Sequence, residues 1–125
     1  FFLIGLPWED LSNIEETKKH IFELDCEFLE LHIAVPYFGT SLYSQISNDN
    51  LLDDSPLGKD YFNKPTKGTN FLSSNELSDF RKSLLFKYHV RPSYIGKKIL
   101  YGAGDIRKLK NYFKYGSKLI KNIIT

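Results

Sequence analysis

FFLIGLPWED at residues 1–10 and FLELHIAV at residues 28–35 enclose SNIEETKKHIFELD at residues 12–25, and this arrangement decides the fold class. Residues 1–6 are apolar almost without a break, as in a strand buried on both faces, and Pro7 ends the run. Ser12 followed by Glu15 reads as the capping box of a helix. Ile14, Ile21 and Leu24 recur at helical spacing, with Glu15, Glu16, Lys18 and Lys19 on the outer face, and the helix is predicted to end near Asp25. In the second apolar run Leu29, Leu31, Ile33 and Val35 take one face of a strand, and Phe28, Glu30, His32 and Ala34 take the other. Strand, helix and strand within 35 residues make a βαβ unit with parallel strands, so the class is α/β. Two parallel strands do not make a covered sheet. Further strands are therefore expected from upstream chain or from a second copy. The chain starts inside an apolar run and contains no Met, so it is expected to be a piece of a longer protein.

Beyond the second strand, Pro36 and Gly39 break the pattern and Thr40 can cap a short helix over 41–47. Residues 48–70 are rich in Asn, Asp, Gly, Pro and Ser and read as a long irregular segment. Ser73 and Glu76 form another capping box, and Leu77, Phe80, Leu84, Leu85 and Tyr88 make one apolar stripe. Pro92 suits the first turn of a following helix that runs through Leu100. Gly102 and Gly104 interrupt, and Asp105 caps a last helix over 106–123. There Ile106, Leu109, Phe113, Ile120 and Ile124 oppose Lys110, Lys114, Lys118 and Lys121. The predicted organisation is a βαβ portion over 1–47, an irregular linker over 48–72 and a helical extension over 73–125.

A chain of 125 residues, 42% hydrophobic and 26% charged, can form one globular domain with a modest core. No apolar run reaches the ~18 residues of a membrane span. The opening FFLIGLPW is too short, and follows no basic segment, for a signal peptide. The single cysteine, Cys26, excludes an internal disulfide and a multi-cysteine metal site, and reads as a small buried hydrophobe. Sparse cysteine fits a reducing cytoplasm. Charge is divided: residues 1–60 hold three lysines against twelve acids, and residues 61–125 hold fourteen Lys and Arg against three acids. Mutual attraction of the two halves accounts for this split, as does a surface for an anionic partner.

Three stretches could carry chemistry. LIGLPWED (Leu3 to Asp10) lies where a strand ends, the edge at which α/β sheets bind ligands; Gly5 admits close approach to the backbone and Glu9 offers a carboxylate. HIAVPYFGT (His32 to Thr40) lies at the same edge of the next strand, with Glu30 and His32 on one face and Tyr37 and Phe38 able to stack on a flat ligand. The basic last helix, with Tyr112, Phe113 and Tyr115, suits an anionic surface or the protein's own core. His20 and His89 have no companion ligands and are assigned no role.

Together these residues resemble the radical S-adenosylmethionine (SAM) enzymes, in the cobalamin-binding branch that includes the anaerobic magnesium-protoporphyrin monomethyl ester cyclases. FFLIGLPWED resembles the fifth barrel strand, G-x-I-x-G-x-x-G-E, through Gly5, Pro7 and Glu9, while Phe1 and Trp8 replace two glycines. HIAVPYFGTSLY resembles the sixth strand and its loop, A-T-P-Y-P-G-T-x-L-Y, through Ala34, Pro36, Tyr37, Gly39, Thr40, Leu42 and Tyr43. LSSNELSDFRKSLLFKYHVRPSYI is similar to the branch's tail through Leu72, Ser73, Glu76, Leu77, Tyr88, Arg91, Pro92, Tyr94 and Ile95.

The resemblance, over about residues 1–100, implies a fragment of a (β/α)6 barrel followed by a mostly helical tail. It implies a parent enzyme, an iron–sulfur oxidoreductase or methyltransferase, that cleaves SAM to a 5′-deoxyadenosyl radical using a [4Fe–4S] cluster, with cobalamin in this branch. The C-x-x-x-C-x-x-C motif of the family is not in this chain. The chain alone is therefore expected to be inactive and to bind no cofactor, Cys26 being too few thiolates for a cluster. Part of the implied SAM wall remains: Leu3, Ile4 and Gly5, the loop of Val35, Pro36 and Tyr37, and Glu9 supporting them.

The expected partners are the missing N-terminal part of the parent and, through open strand edges, a second copy in a homo-oligomer. The rival reading is a non-enzymatic module whose basic tail, 61–125, binds a membrane surface, a nucleic acid or an acidic partner. Nucleic acid is the least favoured of these.

Overall fold

A computed structural model describes residues 1–48 and 68–124. Strand β1 (Phe2–Ile4) leads into helix α1 (Leu11–Leu24), and β2 (Leu31–Ile33) returns beside β1. Four helices follow: α2 (Ser41–Asn48), α3 (Ser74–Val90), α4 (Pro92–Gly102) and α5 (Ile106–Ile124). The strands are parallel, with Phe2 opposite Leu31 and Ile4 opposite Ile33. Both are shorter than the apolar runs predict, because pairing covers only three residues of each. Most of the irregular linker expected over 48–72 falls on residues 49–67, outside the described residues, and so does the side chain of Ile124.

Helix α1 starts earlier than its Ser12–Glu15 pattern predicts. Asp10 is the N-cap, accepting from the Asn13 N–H, and Asn13 Oδ1 accepts from the Asp10 N–H in return. Asn supplies the same side-chain acceptor as Glu at this position, so Asp10 and Asn13 form the box instead. Asp25 then adopts a left-handed conformation (φ 46°) and ends the helix. Of the expected stripe, Ile14 and Ile21 are buried, while Leu24, at the last helical position, is exposed. The second box falls where predicted: Ser73 Oγ accepts from Glu76 N–H, and Glu76 Oε2 accepts from Ser73 N–H. Thr40 Oγ1 accepts from Tyr43 N–H at the start of α2, and Asp105 Oδ1 from Arg107 N–H at the start of α5.

One face of the sheet is covered. Ile4, Leu31 and Ile33 pack with Ile14 and Ile21 of α1 and with Leu77, Leu84, Leu85 and Tyr88 of α3. The opposite face carries Phe1, Leu3, Glu30 and His32. There Phe1 is 78% and Leu3 43% exposed.

The two edges differ as well. In a parallel ladder alternate residues of a strand bond across it. Phe2 N–H donates to Glu30 O and Ala34 N–H donates to Ile4 O, so Phe2 and Ile4 bond to β2, and the Leu3 N–H and C=O point to the other side. By the same alternation Leu31 presents its carbonyl away from β1, where Arg81 Nε of α3 donates to it at 2.7 Å. Helix α3 thus covers the β2 edge at Leu31, a common protection for an edge strand.

Candidate functional site

The site is built where β1 and β2 end together. Gly5 takes φ 87°, a conformation that disfavours a side chain. A Cβ at Gly5 would stand 2.9 Å from Ile33 Cγ2 and 3.3 Å from Leu77 Cδ1. The glycine is therefore required by the packing of β2 and α3 as well as by its dihedral. Glu9 folds back on the strand end, where its Oε2 accepts from the N–H groups of both Gly5 (2.6 Å) and Leu6 (2.8 Å). That carboxylate shapes the loop, and the two amides it occupies are not free to donate to a ligand. On the far side Asn70 N–H donates to Pro7 O, and Thr69 closes a turn by accepting from Leu72 N–H. This ties the start of the helical extension to the loop after β1.

The seven residues expected at a SAM wall divide by exposure. Ile4 is fully buried and Pro36 is buried, so their side chains serve the core. Gly5, Glu9 and Val35 are half-buried, and Leu3 and Tyr37 are exposed. A ligand at this edge would meet the Leu3 side chain and backbone, Val35 and the Tyr37 ring. Beside them on the open face Glu30 Oε2 lies 3.8 Å from His32 Nε2, and the Phe1 ring stands 5.0 Å from the His32 ring. The structure brings the two predicted loops to one edge and sets this acid–histidine pair on the adjoining surface.

A second constellation was legible only as a string of resemblances. Tyr88, Arg91 and Tyr94 reach the turn between α1 and β2, at the other end of the sheet. The Tyr88 hydroxyl donates to Cys26 O at 2.6 Å, and the Tyr94 hydroxyl to Glu27 O at 3.1 Å. The Arg91 guanidinium stacks over the Tyr88 ring (4.0 Å) and pairs with Asp25, which Lys97 also contacts. The hydrogen bond from Lys97, with the charge of Arg91, holds the Asp25 carboxyl below its usual range. Burial pushes the Tyr88 and Tyr94 phenols up, so both remain protonated donors. These residues fasten the extension to the βαβ unit, and none of them faces the strand ends.

His89 lies in the same layer. Its Nδ1 is 2.8 Å from Leu85 O, and since a carbonyl can only accept, Nδ1 carries the proton. Nε2 is buried without a partner among the described residues. Burial lowers the imidazole pKa from its ordinary value. Two surface grooves, one of about 340 Å³ lined by Glu15, Lys18, Glu76 and Phe80 and one of about 110 Å³ lined by Cys26, Tyr94 and Lys98, include none of the seven residues expected at the SAM wall.

Comparison with known proteins adds one relative. A protein of Pyrococcus horikoshii described as an uncharacterized methyltransferase is 29% identical over 107 residues. The match covers 86% of this chain and 23% of the relative, so the chain spans about a quarter of the length of the protein it matches. No family model matches the chain, and no solved structure matches it. The description of the relative names a methyltransferase and says nothing of a radical, an iron–sulfur cluster or cobalamin. No described helix is long and apolar enough to cross a membrane.

Proposed function

We propose that this chain is one part of a longer SAM-dependent methyltransferase of the radical SAM type, contributing the fifth and sixth strands of its barrel and the helices that close them. The observation that carries this reading is the asymmetry of the sheet. The β2 edge is capped at Leu31 by Arg81, whereas Leu3, with an exposed side chain, turns its backbone N–H and C=O away from β2, where they have no backbone partner among the described residues. A further parallel strand beside β1 would use those groups and begin to enclose the face that carries Glu30 and His32. The relative named as a methyltransferase, which this chain matches over only 23% of its length, supports a longer enzyme. The ordered resemblance of residues 1–100 supports the radical SAM class.

Within this reading Leu3, Val35 and Tyr37 would hold the adenosine half of SAM. When bound, SAM supplies a methyl group or, on reductive cleavage at a cluster, a radical. Glu9 holds the Gly5–Leu6 turn in place through its two amide bonds. His32, paired with Glu30, is placed to hold or move a proton at Nε2 on the enclosed face. A cluster would be held by residues outside this chain, because Cys26 is its single cysteine and precedes β2, at the opposite end of the sheet from the site.

The test uses the complete reading frame, purified without oxygen and supplied with SAM and a strong reductant. Formation of 5′-deoxyadenosine, lost when an upstream cysteine motif is changed to alanine, is the expected result. S-adenosylhomocysteine without deoxyadenosine would keep the methyltransferase and remove the radical. Neither product from fully loaded enzyme would refute the reading.

A further inference from the structure

We infer that α5, with the end of α4, is a docking surface for an anionic phospholipid bilayer. Helix α5 carries Arg107, Lys108, Lys110, Lys114, Lys118 and Lys121 and no Asp or Glu in its 19 residues. At 100° per residue, Leu109, Tyr112, Gly116 and Ile120 share one face. All four are half-buried, and Leu109 packs closely on Gly102 of α4, so this face is turned to the protein. Ile106 and Phe113, seven residues apart, lie along one flank of it, and each is 66% exposed. Lys110, Lys114 and Lys121 occupy the next strip around the helix, all exposed. Just before the turn into α5, Leu100 and Tyr101 are 77% and 68% exposed.

An exposed apolar line bordered by lysines is what a helix lying in a membrane interface presents. The apolar side chains enter the acyl boundary while the lysine stems reach to the phosphates. The other candidates fit less of the surface. A nucleic-acid duplex would satisfy the lysines but offers its phosphates and sugars, not an apolar layer, to Phe113 and Leu100. A second copy would have to present a face both acidic and apolar, and of the five acids of α1 and the turn after it four, Glu15, Glu23, Asp25 and Glu27, are already paired within the chain, with Lys18, Lys19, Arg91 and Lys97, and Lys98. The attachment is to the surface, since no described helix is apolar enough to span.

The test is co-sedimentation of the complete protein that contains this chain with vesicles of phosphatidylcholine, with and without phosphatidylserine. Binding is expected only with phosphatidylserine and should weaken as salt is added. Each of Lys110→Ala and Lys114→Ala should weaken it about fivefold. Phe113→Ser should weaken it about tenfold or more. These side chains are exposed, so circular dichroism should show each variant folded. A folded chain that ignores anionic vesicles, or binds them equally well as Phe113→Ser, would overturn the inference. Tighter binding to a duplex would overturn it too, as would a dimer that Phe113→Ser dissociates without any vesicle binding.

Discussion

Replacing Gly5 by alanine tests the packing of the strand ends most directly. Two costs add. The left-handed dihedral, φ 87°, costs an L-residue about 1–2 kcal/mol. The new methyl would also stand 2.9 Å from Ile33 Cγ2 and 3.3 Å from Leu77 Cδ1. Ile33 is 4% and Leu77 0% exposed, so neither has room to swing away, and overpacking of this kind costs about 1–3 kcal/mol. The expected loss is about 2–5 kcal/mol, a large fraction of the ~5–15 kcal/mol that holds a domain folded. Gly39 provides an internal control. Its φ of 82° is nearly the same, but a Cβ there meets nothing within 4 Å. Gly39→Ala should therefore show only the conformational part, about 1–2 kcal/mol. Urea unfolding followed by the fluorescence of Trp8, the single tryptophan, would measure both. Equal losses for the two variants, or a loss below about 0.5 kcal/mol for Gly5→Ala, would refute the packing argument.

Gly116 lies within α5 and a Cβ there meets nothing within 4 Å, so Gly116→Ala should gain about 1 kcal/mol, seen as a raised Tm. Tyr88 is fully buried and its hydroxyl serves Cys26 O, so Tyr88→Phe should lose about 1–2 kcal/mol in urea unfolding without a change in slope. His89 is held neutral, with its folded pKa below 6.5. Between that folded value and 6.5 the unfolded chain binds the extra proton, so the stability contributed by His89 is complete above pH 6.5 and falls as pH drops through this window. Urea titrations at pH 7 and pH 5 should show the drop in the natural chain and a smaller one in His89→Phe. The depressed carboxyls of Asp25 and Glu76 act only below about pH 4.5, outside that range.

Local patterns were legible where both partners sit within four residues. Ser73 and Glu76, Thr40 and Asp105 are caps because a side-chain oxygen and a free N–H at fixed spacing need nothing else. The same logic placed Ser12 where Asp10 stands, since it looked for Glu at the third helical position and Asn13 supplies an equivalent acceptor. The parallel pairing followed from the spacing of two apolar runs, but their lengths overstated the strands, because Phe1 and Val35 are apolar without being paired. At the site, Gly5 and Glu9 stood out as residues, while their roles did not. Glu9 is occupied by two amides of its own loop, and Gly5 answers to Leu77, 72 positions away in the chain. Tyr88, Arg91 and Tyr94 likewise draw their meaning from Cys26, Asp25 and Glu27, which no local spacing connects to them.

The fastening of the turn at residues 25–27 sets an order on how the molecule can be made. A ribosome releases β1, α1 and β2 well before the groups that anchor them, since the contacts from Arg81, Tyr88, Tyr94 and Lys97 reach back 50, 62, 67 and 72 residues. Until those side chains emerge, the β2 edge stays bare and the α1–β2 turn is unheld. A nascent chain stopped at the end of α2 would display its β2 margin uncovered, a natural client for a chaperone. The helices after residue 73 complete what the βαβ unit begins.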